Sequence, residues 1–331
     1  NIQHTQLKGA CDQFHSQIRG KDQRIGLGIG RLDLTQQIEA LVEQGLVIEV
    51  SSSTDASQIM PFTAFLEATG LNADETTARL GKAQVAVFGL EAHGAHLAQM
   101  LAQLGVGQIR LVDPFPLTEA HLTLTPVTDR RAIGLSRQQA VASMLGLDEG
   151  RIEVGPTGEL NEGVVREVSE DCDLVFSCWD QAYGAASHWL NRAAQKSGVP
   201  VLFGELRATA TFAGPLVLPH RSACWMCFRM RSIACAKDFE QAIAFEEHLD
   251  RTRMPRLASR PMLPMLPNQL ASIMSLEALR LLIGIHPPVL VDYVVEYDAI
   301  RNTTVEHPVL VKPDCPVCSK KKSVFNHPLT S

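Results

Sequence analysis

The sequence predicts an α/β protein: a Rossmann-like, mainly parallel sheet with helices on both faces and a structural zinc site, preceded by a small winged-helix-like module. Three observations lead there. Apolar β-type runs alternate with amphipathic helical runs from Gln84 to Phe203, the first of those runs ends on a glycine turn into a helix, and two Cys-x-x-Cys pairs lie far apart in the C-terminal half. The 331 residues correspond to roughly two domains, read as 1–57 for the module with its linker and 58–331 for the sheet domain.

In chain order, the stretch from Asp33 to Gly45 offers Asp33 or Thr35 as an N-cap, an apolar stripe of Ile38, Leu41 and Val42, and a glycine at the helix end. It runs into Leu46-Val47-Ile48-Glu49-Val50, a strand pattern, and then a Ser-rich linker from Ser51 to Ser57. A helical stretch spans Pro61 to Leu80. The strand Gln84–Gly89, a helix from His93 to Leu104 and the strand Gln108–Val112 with Asp113 make a βαβ unit. Strands near Arg151–Val154, Asp173–Ser177 and Val199–Phe203 then alternate with helices near Gly163–Val168 and Ala182–Lys196. From Asp238 to Pro267 the pattern fails behind a charged run and Pro255, Pro261, Pro264 and Pro267, which predicts a crossover loop.

Composition narrows the function. Thirty Lys and Arg against 36 Asp and Glu give a net charge of −6, so no broadly basic face exists to hold nucleic acid. No apolar stretch approaches the roughly 20 residues of a membrane span, and Asn1-Ile2-Gln3-His4 shows no secretory n-region or h-region. A soluble, cytoplasmic protein with no membrane partner is expected. Eight cysteines are too few for a disulfide scaffold. Cys224-Trp225-Met226-Cys227 and Cys315-Pro316-Val317-Cys318 present four thiolates as two knuckles, the donor set of a closed, structural Zn²⁺ site. Cys11, Cys172, Cys178 and Cys235 read as reduced core residues.

The segment from Val85 to Asp113, above all Leu104-Gly-Val-Gly-Gln-Ile-Arg-Leu-Val-Asp113, resembles the first βαβ unit of the ubiquitin-activating-enzyme-like superfamily, of ThiF and MoeB type. With the cysteine pairs, the resemblance covers roughly residues 60–320. It implies an ATP site in which Gly89 and Gly94 form the phosphate turn, Asp113 holds the ribose and Asp180 follows a later strand. The bare fold reading of the same four residues is a tight turn, a close helix-to-strand contact and two strand-end acids.

Several positions depart from that pattern. Glu91 stands where the middle glycine belongs, and at an effective dielectric of ~20 a carboxylate ~4 Å from a phosphate charge is repelled by about 4 kcal/mol. Phe115 replaces a second acid, His121 an Asn, Leu124 an Arg, Thr125 a Gln and Ala185 a later Arg, while Arg137 stands in for a lysine. Adenylyl transfer rests on positioning and charge neutralisation, so the site is expected to be a remnant that binds no Mg-ATP and to have no catalytic residue.

A helix-plus-strand module ahead of a degraded ATP site, together with the run Ala223–Arg231, resembles the partner proteins of YcaO-type cyclodehydratases, which make thiazole- and oxazole-modified peptides of the bacteriocin kind. That resemblance implies that the module binds the leader of a precursor peptide as an added strand, with Ile38, Leu41, Val42, Leu46 and Ile48 as its candidate contacts, and that the larger domain docks an ATP-using YcaO enzyme. A homodimer is implied as well. The rival is an enzyme that adenylates a peptide or ubiquitin-like C-terminus, and a third reading is a winged-helix regulator. His93 and His96 read as surface or capping residues. Cys235 offers a thiol just past the first knuckle, with no base placed beside it.

Overall fold

The structure is a computed structural model and describes residues 40–41, 61–147, 150–179, 184–251 and 261–319. The chain divides into two compact units, 1–74 and 75–331. In the first, Leu41 is helical and 38% exposed. Ile38, Val42, Leu46, Ile48, Cys11 and the serine-rich linker lie outside the described residues. The stretch expected as one helix up to Leu80 is two, α1 (Pro61–Ala68) and α2 (Ala73–Leu80). Gly70, at φ 78°, separates them, because a left-handed residue cannot continue a right-handed helix.

The larger unit is built on eight strands: β1 (Gln84–Phe88), β2 (Gln108–Val112), β3 (Ile152–Val154), β4 (Leu174–Ser177), β5 (Val201–Arg207), β6 (Ala210–Val217), β7 (Tyr293–Asp298) and β8 (Thr303–Pro308). Their order is β3-β2-β1-β4-β5-β6-β7-β8. The first five pair in parallel, and β6, β7 and β8 extend the sheet antiparallel. Pairing of β6 with β7 runs from Ala210↔Asp298 to Ala213↔Val295 and ends just before Pro215, whose nitrogen has no hydrogen to donate.

The helices of this unit are α3 (His93–Gln103), α4 (Arg137–Leu145), α5 (Glu162–Ser169), α6 (Gly184–Ser197), α7 (Trp225–Ala234), α8 (Phe239–Arg251) and α9 (Leu266–Ile283). They cover both faces. On one face α3 packs against α9 and α4; on the other α5, α6, α7 and α8 stack over a core that takes Ala86, Phe88 and Val175 from the sheet. Val85 and Val87 are equally buried but alternate to the opposite side, so β1 is apolar throughout. Among the described residues no helix is long and apolar enough to cross a membrane.

Two expectations are corrected here. The segment after Asp238 is no crossover loop at its start: Phe239–Arg251 is helical, and α9 begins at Leu266 with Pro267 in its first turn, where a missing N–H forfeits no hydrogen bond. Cys235 is no core residue, since it caps the C-terminus of α7 and is exposed, whereas Cys172 and Cys178 are buried as expected.

Candidate functional site

In a doubly wound sheet ligands sit beyond the carboxyl ends of the strands where the strand order reverses. Here that point lies between β1 and β4, and it gathers Gly89, Glu91, Asp113 and Trp179. Gly89, at φ 89°, turns the chain, and a Cβ on it would sit 2.8 Å from the Cys178 carbonyl. A Cβ on Gly94 would run into the Gly89 carbonyl oxygen. Both glycines are therefore demanded by the protein's own backbone crossing, which is the fold-geometry role. Asp180 lies outside the described residues, and Ala185 is buried.

Asp113 is fully buried. Its Oδ2 accepts the Leu90 N–H at 2.7 Å and its Oδ1 the Phe115 N–H at 3.3 Å, while the Arg137 Nε lies 2.8 Å from Oδ2. Burial pushes the carboxyl above its ordinary 3.8, and Arg137 and the Leu90 amide pull the other way. Arg137, 1% exposed, is held on its other side by Glu91 Oε2 at 3.4 Å and His121 Nε2 at 3.1 Å, with the Phe115 ring 5.6 Å from its Cζ. The His121 Nδ1 accepts the Thr118 N–H at 2.9 Å, closing a capping box at the start of the short helix Glu119–Thr123, and lies 2.9 Å from the Thr118 Oγ1. Burial and the neighbouring Arg137 hold the His121 pKa below its ordinary value, so the ring is neutral at pH 7.

The crevice thus gathers one cation, two carboxylates and a neutral imidazole, roofed by Phe115 and by Trp179 packed edge-on to it at 6.0 Å, and leaves the buried Arg137 Nη2 without a hydrogen-bond partner among the described residues. Sequence reasoning placed Arg137, Phe115 and His121 at separate positions and did not pair them. It also passed over Gln138, fully buried, whose Oε1 accepts the Asp113 N–H at 2.8 Å and whose Nε2 donates to the Gly155 carbonyl at 2.7 Å. The signal for both residues was present in Ser136-Arg137-Gln138-Gln139, a capping box that starts α4 and drives its first turn into the crevice. His93 departs from its expected surface role: it is fully buried, and burial followed by the neighbouring His96 lowers its pKa to about 3.

The second constellation is the thiol cluster. Cys224 ends the loop that leads into α7, Cys227 lies one turn on, and Cys315 and Cys318 come from the turn after β8. Cys224 and Cys227 Sγ are 3.9 Å apart, Cys224 and Cys315 3.6 Å, and Cys227 and Cys318 3.5 Å. Four sulfurs at about 2.3 Å from a tetrahedral Zn²⁺ are separated by about 3.8 Å, so the donor set and its spacing fit that ion. All four sulfurs lie within 4.8 Å of one another, which leaves no open position for a substrate. The thiols do not share protons evenly: hydrogen bonds from Cys224, Cys227 and Cys318 push Cys315 below the ordinary thiol range, while Cys227 and then Cys315 push Cys224 above it.

Replacing Arg137 by Gln strands the Asp113 charge in the interior, a change expected to destabilise the fold by about 3–5 kcal/mol at pH 7. A raised folded-state pKa means the folded protein keeps the Asp113 proton to higher pH than the unfolded chain, so this group's contribution to stability falls as pH rises above 3.8. Without its counter-charge the carboxyl protonates more readily, and the deficit of the variant shrinks on acidification by up to about 1.4 kcal/mol per pH unit. Urea unfolding at pH 7 and pH 5 checks this, and an equal deficit at both would refute it. Cys315→Ser is expected to lose the metal, with a melting temperature lower by on the order of 10 °C; metal analysis and a thermal scan decide.

Comparison with known proteins bears on both constellations. The ThiF family model matches residues 67–317. The sulfur carrier protein adenylyltransferase of Thermus thermophilus is 26% identical over 251 residues, covering 72% of this chain and 83% of that protein. The SAMP-activating enzyme E1 of Haloferax volcanii is 25% identical over 247 residues, covering 74% and 84%. Among solved structures, E. coli MccB with MccA-N7isoASN superposes with a TM-score of 0.70 at 15% identity, over 89% of this chain and 84% of that one, a likeness of fold. With a family match that spans the whole sheet from before β1 to the second cysteine knuckle, the chain belongs to the ThiF family.

Proposed function

We propose that this chain is a non-catalytic member of the family, which binds the leader of a ribosomally made precursor peptide and scaffolds a YcaO-type, ATP-dependent cyclodehydratase that closes azoline rings on Cys, Ser or Thr. One observation carries the reading: the crevice where relatives' ATP is expected is filled by Glu91, Arg137, Asp113 and His121 bonded to one another. Arg137 is already ion-paired with two carboxylates, Asp113 and Glu91. Both Asp113 oxygens are engaged and the residue is buried, so Asp113 turns no free oxygen to a ribose hydroxyl. Polyphosphate entering this turn meets the Glu91 carboxylate instead of bare backbone N–H groups, in a site where anion binding depends on those groups.

In this reading the four cysteines hold a structural zinc, and no step of chemistry passes through it. The leader is received by the N-terminal module; Leu41, helical and part exposed, is the described member of the proposed contact set. E. coli MccB, solved with MccA-N7isoASN, shares the fold at 15% identity, which supports the reading. A homodimer, as implied by resemblance to the superfamily, belongs to the same proposal.

The second reading, an adenylating enzyme, is favoured by the names of the two curated relatives, an adenylyltransferase and an activating enzyme. Calorimetric titration of the zinc-loaded protein with Mg-ATP separates the two. The scaffold reading expects no binding heat at millimolar nucleotide; a micromolar dissociation constant sinks it and directs attention to pyrophosphate exchange. Alongside, labelled peptides made from the short open reading frames that flank the gene are titrated into wild type and Leu41→Asp, where at least about tenfold weaker binding, or about 1.4 kcal/mol, is expected of the variant.

A further inference from the structure

Beside the thiol cluster, on the outer side of α7 and α8, the protein has a cavity of about 470 Å³, in the range of ligand pockets. Its apolar walls are Met230 and Ile233 of α7, Phe239 and Ile243 of α8, and Leu310 and Val311 of the segment that follows β8. Phe239, Leu310 and Val311 are 52%, 59% and 57% exposed. Isolated exposed apolar residues need no explanation, but large ones gathered around one concavity mark an interaction surface.

Two cations complete the lining, Arg231 and Lys312, and among the described residues no ion pair engages either side chain. Their presence is informative in a chain whose net charge is −6. Every charged group that lines this apolar cavity is positive. Two of the chain's own segments outside the described residues are poor occupants by the same measure: 252–260 carries three Arg and no acid, and 320–331 three Lys and no acid. The cavity is also held in shape by the metal-binding cluster. The Lys312 N–H donates to the Cys227 Sγ at 3.4 Å, the Cys315 N–H donates to the Lys312 carbonyl at 3.0 Å, and α7 starts at Cys224. A cavity organised before its ligand arrives loses little conformational entropy on binding.

We propose that this cavity is the docking site for an acidic, amphipathic peptide segment of a partner protein, its large apolar side chains seated between α7, α8 and Leu310–Val311 and its carboxylates on Arg231 and Lys312. The site is separate from the nucleotide crevice and stands whether or not that crevice binds ATP. Apolar contact supplies the affinity and the two cations the sign selection, since like charges across an interface reject wrong partners.

Fluorescence anisotropy on the full zinc-loaded chain tests it, with a labelled amphipathic peptide of Glu, Leu and Phe and a counterpart carrying Lys at every Glu. The acidic peptide is expected to bind and the basic one not. Leu310→Asp, at an exposed position that leaves zinc content and circular dichroism unchanged, is expected to weaken the acidic peptide at least about tenfold. Arg231→Glu with Lys312→Glu is expected to do the same and to transfer binding to the basic peptide. Equal binding of both peptides, or acidic-peptide binding indifferent to Leu310→Asp and to the charge swap, overturns the proposal. So does concentration-dependent sedimentation that Leu310→Asp abolishes, because the face would then belong to a second copy of this chain.

Discussion

The buried ion pair between Arg137 and Asp113 is the contact on which the arrangement of the crevice depends. A guanidinium and a carboxylate taken out of water together each lose hydration worth several kcal/mol, which their attraction offsets only where further hydrogen bonds complete the shell. Here the Leu90 and Phe115 amides supply it on the acid side and His121 and Glu91 supply part of it on the base side, where Arg137 Nη2 stays without a partner among the described residues. Each partner fixes a different segment: the glycine turn after β1, the end of β2, the short helix Glu119–Thr123 and the start of α4. Remove the pair, and four loops that meet at the top of the sheet lose their common anchor.

The cysteine cluster plays the corresponding part at the other end of the chain. It joins positions 91 residues apart, Cys224 with Cys315 and Cys227 with Cys318. A cross-link over such a span restricts the unfolded chain by about 4–5 kcal/mol on loop-entropy grounds. Between the two knuckles lie α8, α9 and the hairpin of β7 and β8, so the cluster closes the antiparallel half of the sheet around its helices. Closing that half also positions α7, whose Trp225 stacks on Phe203 of β5 with ring centroids 5.5 Å apart.

How far the sequence revealed this depends on where the information sits. From Gln84 to Val201 it is largely local: β1 is an unbroken apolar run, Gly89 and Gly105 flank an amphipathic helix, and the elements expected there begin and end within a residue or two of their expected bounds, whereas α4 was not foreseen. The cysteine spacing was equally legible, because tetrahedral thiolate sites use adjacent pairs. Beyond Phe203 the signal weakens for physical reasons. Strand β6 carries Gly214 and Pro215 inside it, β8 is an edge strand with mostly exposed side chains, and α8 is two-sided, with Phe239 and Phe245 on the outside. Glu91 was read as repelling phosphate, and the structure adds that it faces Arg137. Pairings across 46 and 24 positions, Glu91 and Asp113 with Arg137, leave no periodic trace and emerge only when the strands are assembled.

The capping box at the start of α4 sets a further property of the crevice. Ser136 and Gln139 lock the first turn of the helix, so Arg137 cannot swing away when a neighbour changes; it must be satisfied where it stands. Shortening Glu91 leaves Arg137 still bound to Asp113, and removing Arg137 leaves Asp113 charged in the interior. Groups coupled this tightly respond to substitution far from additively. The passage from this arrangement to one that opens toward polyphosphate therefore crosses a barrier that no single replacement lowers, and drift at any one of these positions is held back by the others. The arrangement of these side chains is in this sense held in place by folding stability.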